Sequence, residues 1–310
     1  MSGLADWPAL VLTAGLGTRL RPLSTVRAKA ALPVAGETLI RRILRWLQRA
    51  GVTQVVLNLH HRADSVTREV GDGSQWGLRV RYSWEWPLLG SAGGPARALP
   101  LIGADRFLVV NGDMLTDVDL ATLTARHLAT GALVTMALAP GDTSRYNGVD
   151  ADADGVVRGF VRVGDAARGS AGHFIGVQAV NAAAFAGVAC DQPSETVKAL
   201  YPTLIQTRPR SVRAFWSDAE YLDIGTPRDY LETAIRIAGR EGTSLDRGER
   251  CDVEPGAHLE RTVLWDDVTV RAGASLTECV VADGVVVPTG ARFERSSLVM
   301  AAGGLVSEPF

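Results

Sequence analysis

A glycine-rich segment near the amino terminus carries the residues best suited to chemistry. It is Gly15–Ser24, GLGTRLRPLS, and it directly follows an apolar run. Glycines let backbone N–H groups approach phosphate oxygens, because no Cβ blocks the approach. Arg19 and Arg21 add charge and forked donors, and Lys29 follows ten positions after Arg19. The segment therefore predicts a loop that binds a chain of phosphates.

Other loops of this kind fit less well. A Rossmann dinucleotide loop has a third glycine where Leu20 stands, and it is not expected to carry two arginines. A Walker loop requires Gly-Lys followed by Ser or Thr, which this segment lacks. A tight turn with solvated arginines is the remaining alternative.

The block from Gly15 through Gly36 resembles the sugar-nucleotide pyrophosphorylase family of sugar-1-phosphate nucleotidyltransferases. The pattern is most similar to the bacterial mannose-1-phosphate guanylyltransferase and N-acetylmuramate-1-phosphate uridylyltransferase groups, and the resemblance covers nearly the whole chain. It implies that Arg19 binds the β- and γ-phosphates and that Lys29, the lysine of a Pro-Lys-Pro motif, bridges phosphates. Ala28 and Ala30 replace the two prolines here, which changes the stiffness of the loop but not its charge.

The same resemblance implies a nucleotide-binding set at the start of the chain and around a second glycine-rich segment, Pro87–Gly94. The segment looks like the family's Leu-Gly-Thr-Ala-Gly stretch under the nucleobase, where small residues let a flat base rest on the backbone; a glycine-rich helix start is the alternative. Glu85 stands where a side chain meets the base edge. A carboxylate only accepts, and guanine offers N–H donors, so Glu85 favours GTP, although uridylyltransferases can carry an acid nearby and a solvated surface glutamate is equally consistent. The implied set is Leu12, Ala14, Gly15, Gly17, Thr18, Arg19, Glu85, Gly90, Ser91 and Asp113.

Two aspartates match the family's metal ligands residue by residue. Asp113 ends the run VVNGD, and Asp223 lies in YLDIGTP. Mg²⁺ prefers oxygen ligands and keeps one or two carboxylates plus phosphates and waters, and Mn²⁺ could replace it. The resemblance thus implies Asp113 and Asp223 as metal ligands and Arg19, Lys29 and Asp113 as catalytic residues. Helix capping by Asp223 is the alternative, since Thr226 is close by.

The side that would bind the sugar departs from the family pattern. Tyr146, Asn147 and Gly148 resemble its Tyr-Gly-Val turn with one residue inserted, and its Glu-Lys-Pro motif is absent. Arg162 supplies the missing charge or is a solvated strand arginine, and His173 donates to the sugar or is structural. The implied sugar-phosphate set is Asn111, Tyr146, Gly148, Arg162, His173 and Gly176.

The elements that position these residues alternate between strands and helices. Apolar runs at 8–12, 55–57, 78–82 and 107–110 predict strands, and the pattern over 38–50 predicts a helix that stops at Gly51. Such alternation predicts a parallel sheet covered by helices, with ligands beyond the carboxyl ends of the strands. Thr226 and Pro227 predict the start of a last helix that ends near Gly239.

A repeat follows residue 250. Gly-Ala recurs at equal intervals, at 256/257, 273/274 and 290/291, with aliphatic residues at matching positions. A short period of small and β-branched residues predicts a parallel β-helix of at most three coils, with a β-hairpin appendage as the alternative. The resulting prediction is a doubly wound, Rossmann-like α/β nucleotidyltransferase domain over 1–240 and a short left-handed, hexapeptide-type β-helix over 250–310.

Composition narrows the class of partner. The 32 basic and 34 acidic residues give a net charge of −2, which leaves no electrostatic footprint for nucleic acid or an anionic membrane. The start of the chain lacks the features of a signal peptide, and no run is long enough to span a membrane. Three scattered cysteines, Cys190, Cys251 and Cys279, suit a reduced, cytoplasmic setting and no zinc site.

The sequence as a whole predicts an enzyme of nucleotide-sugar biosynthesis that forms an NDP-sugar from an NTP and a sugar 1-phosphate. GTP with a mannose- or heptose-type sugar phosphate is favoured, and UTP or dTTP is the alternative. A catalytically silent regulatory subunit and an acyltransferase acting from the tail are the alternatives of another class. The uncovered end of the repeat predicts a homo-oligomer.

Overall fold

The computed structural model describes residues 3–140, 147–163, 170–243, 245 and 247–310. The chain divides into two compact units. The first comprises Met1–Gly15, Ile43–His60 and Val70–Tyr221, and the second Leu16–Arg42, His61–Glu69 and Leu222–Phe310. The units group residues differently from the predicted domains, because the second unit joins the loop of Arg19 and Lys29 to the C-terminal residues. The predicted boundaries stay a prediction.

The helices and the strands that precede the C-terminal residues follow the predicted alternation. Within the described residues the helices are α1 Leu39–Arg49, α2 Ala63–Val70, α3 Gly90–Ile102, α4 Leu120–Thr130, α5 Tyr201–Thr207 and α6 Pro227–Glu241. The strands are β1 Ala9–Leu12, β2 Pro33–Val34, β3 Glu37–Thr38, β4 Gln54–Leu59, β5 Arg79–Trp84, β6 Arg106–Asn111, β7 Met114–Thr116, β8 Val134–Pro140, β9 Gly148–Ala151, β10 Val157–Val161, β11 Ser170–Asn181, β12 Val212–Trp216 and β13 Tyr221–Asp223.

The first unit is built on a mixed sheet with the order β10-β9-β11-β6-β1-β4-β5, and β8 joins it by pairing with β11 and β12. The four strands β6, β1, β4 and β5 are parallel, as the alternation predicts. The sheet as a whole is mixed, because β11, which lies beyond the region of strand–helix alternation, runs antiparallel to β6, β8 and β9. The hydrophobic pattern marks strands but does not set the direction in which the chain returns beside β6.

The apolar strands pack into one core because parallel strands are buried on both faces. Leu10, Val56, Phe107 and Val109 belong to the same buried cluster. Helix α3 packs on β1, β4 and β5, and α4 packs on β8 and β11. The resulting layers hold the ends of β1 and β6 side by side.

The predicted helix start at Thr226 has the expected local chemistry. The Thr226 hydroxyl accepts from the Asp229 amide at 3.2 Å, and Pro227 occupies the first turn of α6. The helix ends at Glu241, with Gly242 in the left-handed conformation, beyond the predicted end near Gly239. The start is therefore confirmed and the end is later than predicted, because Gly239 lies within the helix. Among the residues that the structure describes, no helix is both long and apolar enough to cross a membrane.

The C-terminal repeat, residues 252–309, forms short parallel sheets in which successive strands are equally spaced along the chain. Asp252 pairs with Thr269 and Thr269 with Val286, while Leu259 pairs with Leu276 and Leu276 with Phe293. Its strands are β14 Asp252–Val253, β15 His258–Glu260, β16 Val263–Leu264, β17 Thr269–Val270, β18 Ser275–Thr277, β19 Val280–Val281, β20 Val286–Val287, β21 Arg292–Glu294, β22 Ser296–Ala301 and β23 Gly304–Pro309. The sheet orders are β14-β17-β20, β15-β18-β21 and β16-β19-β22-β23, and the inward aliphatic side chains form a buried cluster. The parallel steps are compatible with the predicted β-helix.

Candidate active site

The carboxyl end of β1 lies at the centre of the sheet in the first unit. The register places Leu12 beside Asn58 of β4 and Asn111 of β6. Gly112 donates its amide to the Leu12 carbonyl at 3.0 Å, and a Cβ on Gly112 would lie 2.6 Å from that oxygen. Glycine is therefore required there to let the two strand ends approach. Ala14 is buried after this point, and Gly15 is exposed.

The rest of the glycine loop belongs to the second unit. Gly17 has a φ of +59°, which favours glycine, and its place for a Cβ lies 3.0 Å from Ser24 Cβ and 3.8 Å from Lys29 Cβ. A helical turn, Thr18–Leu20, follows it and leaves Arg19 exposed. The loop thus folds back so that Gly17 lies beside Lys29, while the Arg19 side chain remains accessible to an anion.

The residue before Lys29 shows how this chain compensates for a proline of the family motif. The Ala28 amide is buried and donates to Ser65 Oγ at 2.9 Å. Proline has no amide hydrogen to donate. Ala28 therefore gains a hydrogen bond to α2 in place of the stiffness that a proline ring would give.

Three charged side-chain ends converge on Gly225 in the second unit. A Cβ on this residue would lie 2.8 Å from Asp223 Oδ2, 3.1 Å from Asp229 Oδ2 and 3.2 Å from Arg19 Nη1. The structure thus brings two predicted site residues, Arg19 and Asp223, to one small cradle that only glycine leaves open. Asp229 was not predicted as a site residue, because its spacing from Asp223 in the sequence does not indicate that the two side chains meet.

The second predicted metal ligand, Asp113, belongs to the first unit. It follows β6 directly after Gly112, whose amide is fixed to Leu12. Its side chain is half-buried. Asp113 and Asp223 both offer carboxylate oxygens, which are the donors that Mg²⁺ prefers. Each of the two side chains, taken within its own unit, therefore has the chemistry of a magnesium ligand.

Glu85 is buried rather than presented at a surface. Its side chain is 3% exposed, and each carboxylate oxygen accepts a hydrogen bond: Oε1 from Asn58 Nδ2 at 2.7 Å and Oε2 from the Leu89 amide at 2.8 Å. The alternative of a solvated surface glutamate is therefore wrong. The prediction that Glu85 contacts a base edge stays a prediction.

The glycines of the second segment face atoms of the chain itself. A Cβ on Gly90 would lie 2.7 Å from the Ser194 carbonyl, and one on Gly93 would lie 2.6 Å from the Gln192 carbonyl. Ser91 Oγ donates to Glu195 Oε2 at 2.7 Å. Close packing against residues 192–195 therefore explains these small residues, as the alternative of a glycine-rich helix start allowed. Gly90 and Ser91 as nucleotide contacts stay predictions.

The predicted sugar side gathers on adjacent strands of the first unit. Gly176 has a φ of +75°, and its place for a Cβ lies 3.0 Å from Asn111 Cβ. The register aligns Gly148 with His173 on one side and with Val161, the residue before the exposed Arg162, on the other. Asn111 and Gly176 thus lie together, and so do Gly148 and His173. Tyr146 lies outside the described residues.

His173 packs against an aromatic ring, with a centroid distance of 4.9 Å to Tyr221. Burial lowers the pKa of His173 below its ordinary value, although a hydrogen bond with the Asn147 backbone acts against this. The imidazole is therefore neutral at pH 7. It suits a hydroxyl group better than it suits the charge of a phosphate.

Several residues that support the candidate site were not predicted from the sequence. Asn58 is a polar residue inside the apolar run VVLNL. A buried amide in such a run needs a hydrogen-bond partner, so this position could have been identified from the sequence. Arg27 forms ion pairs with Asp266 and Asp283, at 2.6 Å each, and lies over the Trp265 ring. No local pattern predicts those ion pairs, because the partners lie far along the chain.

Comparisons with known proteins agree with this arrangement. The family described as nucleotidyl transferase matches residues 8–239. The mannose-1-phosphate guanylyltransferase of Mycobacterium tuberculosis is 30% identical over 301 residues, which cover 93% of this chain and 83% of that protein. A match of this coverage must therefore extend into the C-terminal repeat.

Two further comparisons match smaller parts of the chain. The N-acetylmuramate alpha-1-phosphate uridylyltransferase of Neisseria meningitidis is 47% identical over 113 residues, which are 36% of this chain and 48% of that protein. The crystal structure of HddC from Yersinia pseudotuberculosis superposes with a TM-score of 0.65 at 24% identity, covering 74% of this chain and 99% of HddC. The latter comparison supports the mixed α/β fold with a central sheet.

Proposed function

The chain belongs to the nucleotidyl transferase family, and we propose that it uses GTP to activate a mannose- or heptose-type sugar 1-phosphate. Its reaction is that of a sugar-1-phosphate nucleotidyltransferase, in which the sugar phosphate attacks the α-phosphate of an NTP and pyrophosphate leaves. The observation that carries the choice of GTP is the guanylyltransferase of M. tuberculosis, whose match covers 93% of the chain.

A second candidate keeps the chemistry and changes the base. The match to a uridylyltransferase is stronger in identity, at 47%, but it is confined to 113 residues. UTP, or dTTP as a related pyrimidine nucleotide, is therefore the alternative. We give more weight to the match that covers 93% of the chain than to the one that covers 36%.

The residues of the chain act on charge and position. The sugar phosphate oxygen is already an anion, so the attack needs no general base. Arg19 presents a planar fork to the leaving phosphates, and Lys29 presents a compact ammonium to the phosphate at which the bond forms. Both cations offset the charge that builds up in the transition state.

We propose Asp113 and Asp223 as the ligands of Mg²⁺, with Mn²⁺ as a substitute. When bound, the ion neutralises phosphate charge and reduces the repulsion between the two anionic substrates. Asp223 is held for this task in the cradle at Gly225, and Asp113 by the fixed backbone at Gly112. On the sugar side, Asn111, Gly148 and Gly176, with the neutral ring of His173, are proposed to contact hydroxyl groups, and Arg162 the phosphate.

We also propose that the C-terminal repeat is a short left-handed parallel β-helix. The support is the constant step along the chain in three separate parallel sheets and the buried cluster of Leu264, Val270, Leu276 and Val287. Circular dichroism and a crystal structure test this directly.

The function is tested by a matrix of GTP, UTP, dTTP, ATP and CTP against sugar 1-phosphates, with pyrophosphate release as the readout. We expect the highest kcat/KM with GTP and a mannose- or heptose-type substrate. The variants Asp113→Asn and Asp223→Asn should each lower turnover by about 100-fold or more, because each weakens the binding of the ion that would neutralise the phosphate charge. Pyrophosphate release by the double variant at the wild-type rate, or in excess chelator, would contradict the assigned ligands.

A further inference from the structure

A buried polar chain links β1, β4 and the segment after β5 in the first unit. The Thr13 amide donates to Asn58 Oδ1 at 2.6 Å, Asn58 Nδ2 donates to Glu85 Oε1 at 2.7 Å, and the Leu89 amide donates to Glu85 Oε2 at 2.8 Å. Thr13, Asn58 and Glu85 are 5%, 3% and 3% exposed. Every member is therefore shielded from water and paired within the chain.

The direction of each hydrogen bond in this polar chain is fixed by its two ends. Both ends are backbone N–H groups, which only donate. Asn58 must therefore turn its oxygen to Thr13 and its nitrogen to Glu85, and Glu85 must accept twice, once at each carboxylate oxygen. The opposite orientation of the Asn58 amide would place its N–H groups against the Thr13 amide and leave that donor without an acceptor.

Further contacts hold Glu85 in this place. Its amide donates to the Leu59 carbonyl at 2.9 Å, and its carbonyl lies 3.0 Å from His60 Nδ1. A Cβ on Gly94 would overlap the Glu85 carboxylate, so α3 carries a glycine at the position where the carboxylate lies against it. Backbone, side chain and helix thus fix one position for the carboxylate.

The two segments at the ends of the polar chain are those proposed to bind the nucleotide. Thr13 lies between Leu12 and Ala14, and Leu89 directly precedes Gly90. The Thr13 hydroxyl also donates to the Asn58 carbonyl at 2.5 Å, which ties the same position to β4 a second time. A shift in the Glu85 carboxylate would move one segment relative to the other.

We propose that Glu85 and Asn58 are positioning residues that set the distance between the two nucleotide-binding segments, and that Glu85 does not contact the base. The inference rests on the proposed function. Glu85 then acts on the nucleotide indirectly, because its carboxylate is buried and both oxygens already bind groups of the chain. Base preference is then read by other atoms, and Glu85 determines how tightly any NTP is held.

The test exchanges the acceptor and donor roles of the two residues. Glu85→Gln places two amide groups in the polar chain, so one N–H group faces another in every orientation. Asn58→Asp places two carboxylates against each other. The double variant restores a complete polar chain with unchanged net charge, since the carboxylate at position 58 accepts from Thr13 and from the amide at position 85, which accepts from Leu89.

We expect each single variant to raise the KM for the preferred NTP by about 10-fold or more, because a buried donor or acceptor loses its partner. The double variant should recover a KM within a few-fold of wild type, with the same ranking of NTPs. If a single variant does not fold, recovery of folded enzyme in the double variant supports the pairing, and the NTP ranking still decides the question of the base.

Two results would overturn the inference. One is a double variant that binds NTP no better than the single variants although its circular dichroism is native. The other is a changed NTP ranking, which would show that the Glu85 carboxylate reads the base. Calorimetric NTP binding is measured alongside the kinetics. A wild-type protein that is inactive with every sugar phosphate refutes the proposed function, and the NTP binding of the variants then still tests this inference.

Discussion

At the scale of single residues, Gly225 lies where three charged side chains of the second unit meet. The atoms that a Cβ would meet are the ends of the Asp223, Asp229 and Arg19 side chains, not backbone. Such ends can move without unfolding the chain. The residue therefore separates activity from stability better than a buried core position does.

We expect Gly225→Ala to lower turnover by about 10-fold or more with little change in melting temperature, because the side chains that yield are those that hold the metal and the phosphates. Gly239→Ala is the matched control: no atom lies within 4 Å of its place for a Cβ, and its helical position gains stability from alanine. Equal turnover in the two variants would contradict the role of the cradle.

Arg19 and Lys29 should divide the work on the phosphates. Arg19→Ala should weaken both NTP binding and rate, since forked contacts to the leaving pyrophosphate are lost. Lys29→Ala should lower turnover by about 100-fold or more with a smaller loss in NTP binding, because charge concentrates at the reacting phosphate. Lys29→Arg should not restore full activity, since a planar fork differs from a compact ammonium. Steady-state kinetics and calorimetry check this, and near-normal turnover of Lys29→Ala beside an inactive Arg19→Ala would refute it.

At the scale of elements, the C-terminal repeat holds the segment that carries Lys29 through a clamp formed by Arg27, Asp266 and Asp283. Arg27 donates to Asp283 at 2.7 and 2.6 Å and to Asp266 at 2.6 Å, and the two aspartates occupy equivalent positions of the repeat. Burial alone lowers the pKa of Arg27, but hydrogen bonds and the charges of Asp283 and Asp266 outweigh it and raise that pKa above its ordinary value. The clamp thus supports a permanent cation two positions before Lys29.

We expect Arg27→Gln to lower turnover by up to about 100-fold through displacement of Lys29. It should also cost about 1–3 kcal/mol in the free energy of unfolding, less than for a fully buried pair, because solvent screens the two partly exposed carboxylates. Arg250→Gln is the control, since Arg250 binds Asp267, the neighbour of Asp266, at an exposed position of the repeat. Turnover and thermal denaturation are measured for both variants, and equal effects on turnover would contradict the clamp.

At the scale of the whole molecule, the C-terminal repeat has sheet edges that could pair with strands of another chain. Strands β20 and β21 end two of its parallel sheets, whereas β23 covers the third by pairing with β22. Val286, on β20, is 44% exposed. Unpaired edge strands are templates for pairing with another chain.

We therefore expect a homo-oligomer at micromolar concentration, and Val286→Lys should shift it toward smaller species because charge on an edge strand opposes pairing. Val163→Lys is the control, since Val163 is 49% exposed and lies outside the repeat. Light scattering of the three proteins checks this. A monomeric wild type would refute the prediction.

Local patterns carried much of the fold prediction. The apolar run before Gly15, the helix at Leu39–Arg49 and the Thr226–Pro227 helix start were readable because hydrophobic period and capping chemistry act over short stretches of chain. The constant step of the repeat was also readable, since a repeat records its own period. The antiparallel direction of β11 was not, because no side chain near it encodes which way the chain returns.

The sequence by itself determined which residues could do chemistry here: a glycine loop with Arg19 and Lys29, and two aspartates in matching contexts. The tertiary structure alone decided what surrounds them. It buried Glu85 with both oxygens engaged, placed Gly225 among three charged ends, and tied Arg27 to Asp266 and Asp283. The physical reason is range: loop and cap chemistry depends on adjacent residues, whereas burial and ion pairs depend on partners that only folding brings within a few ångströms.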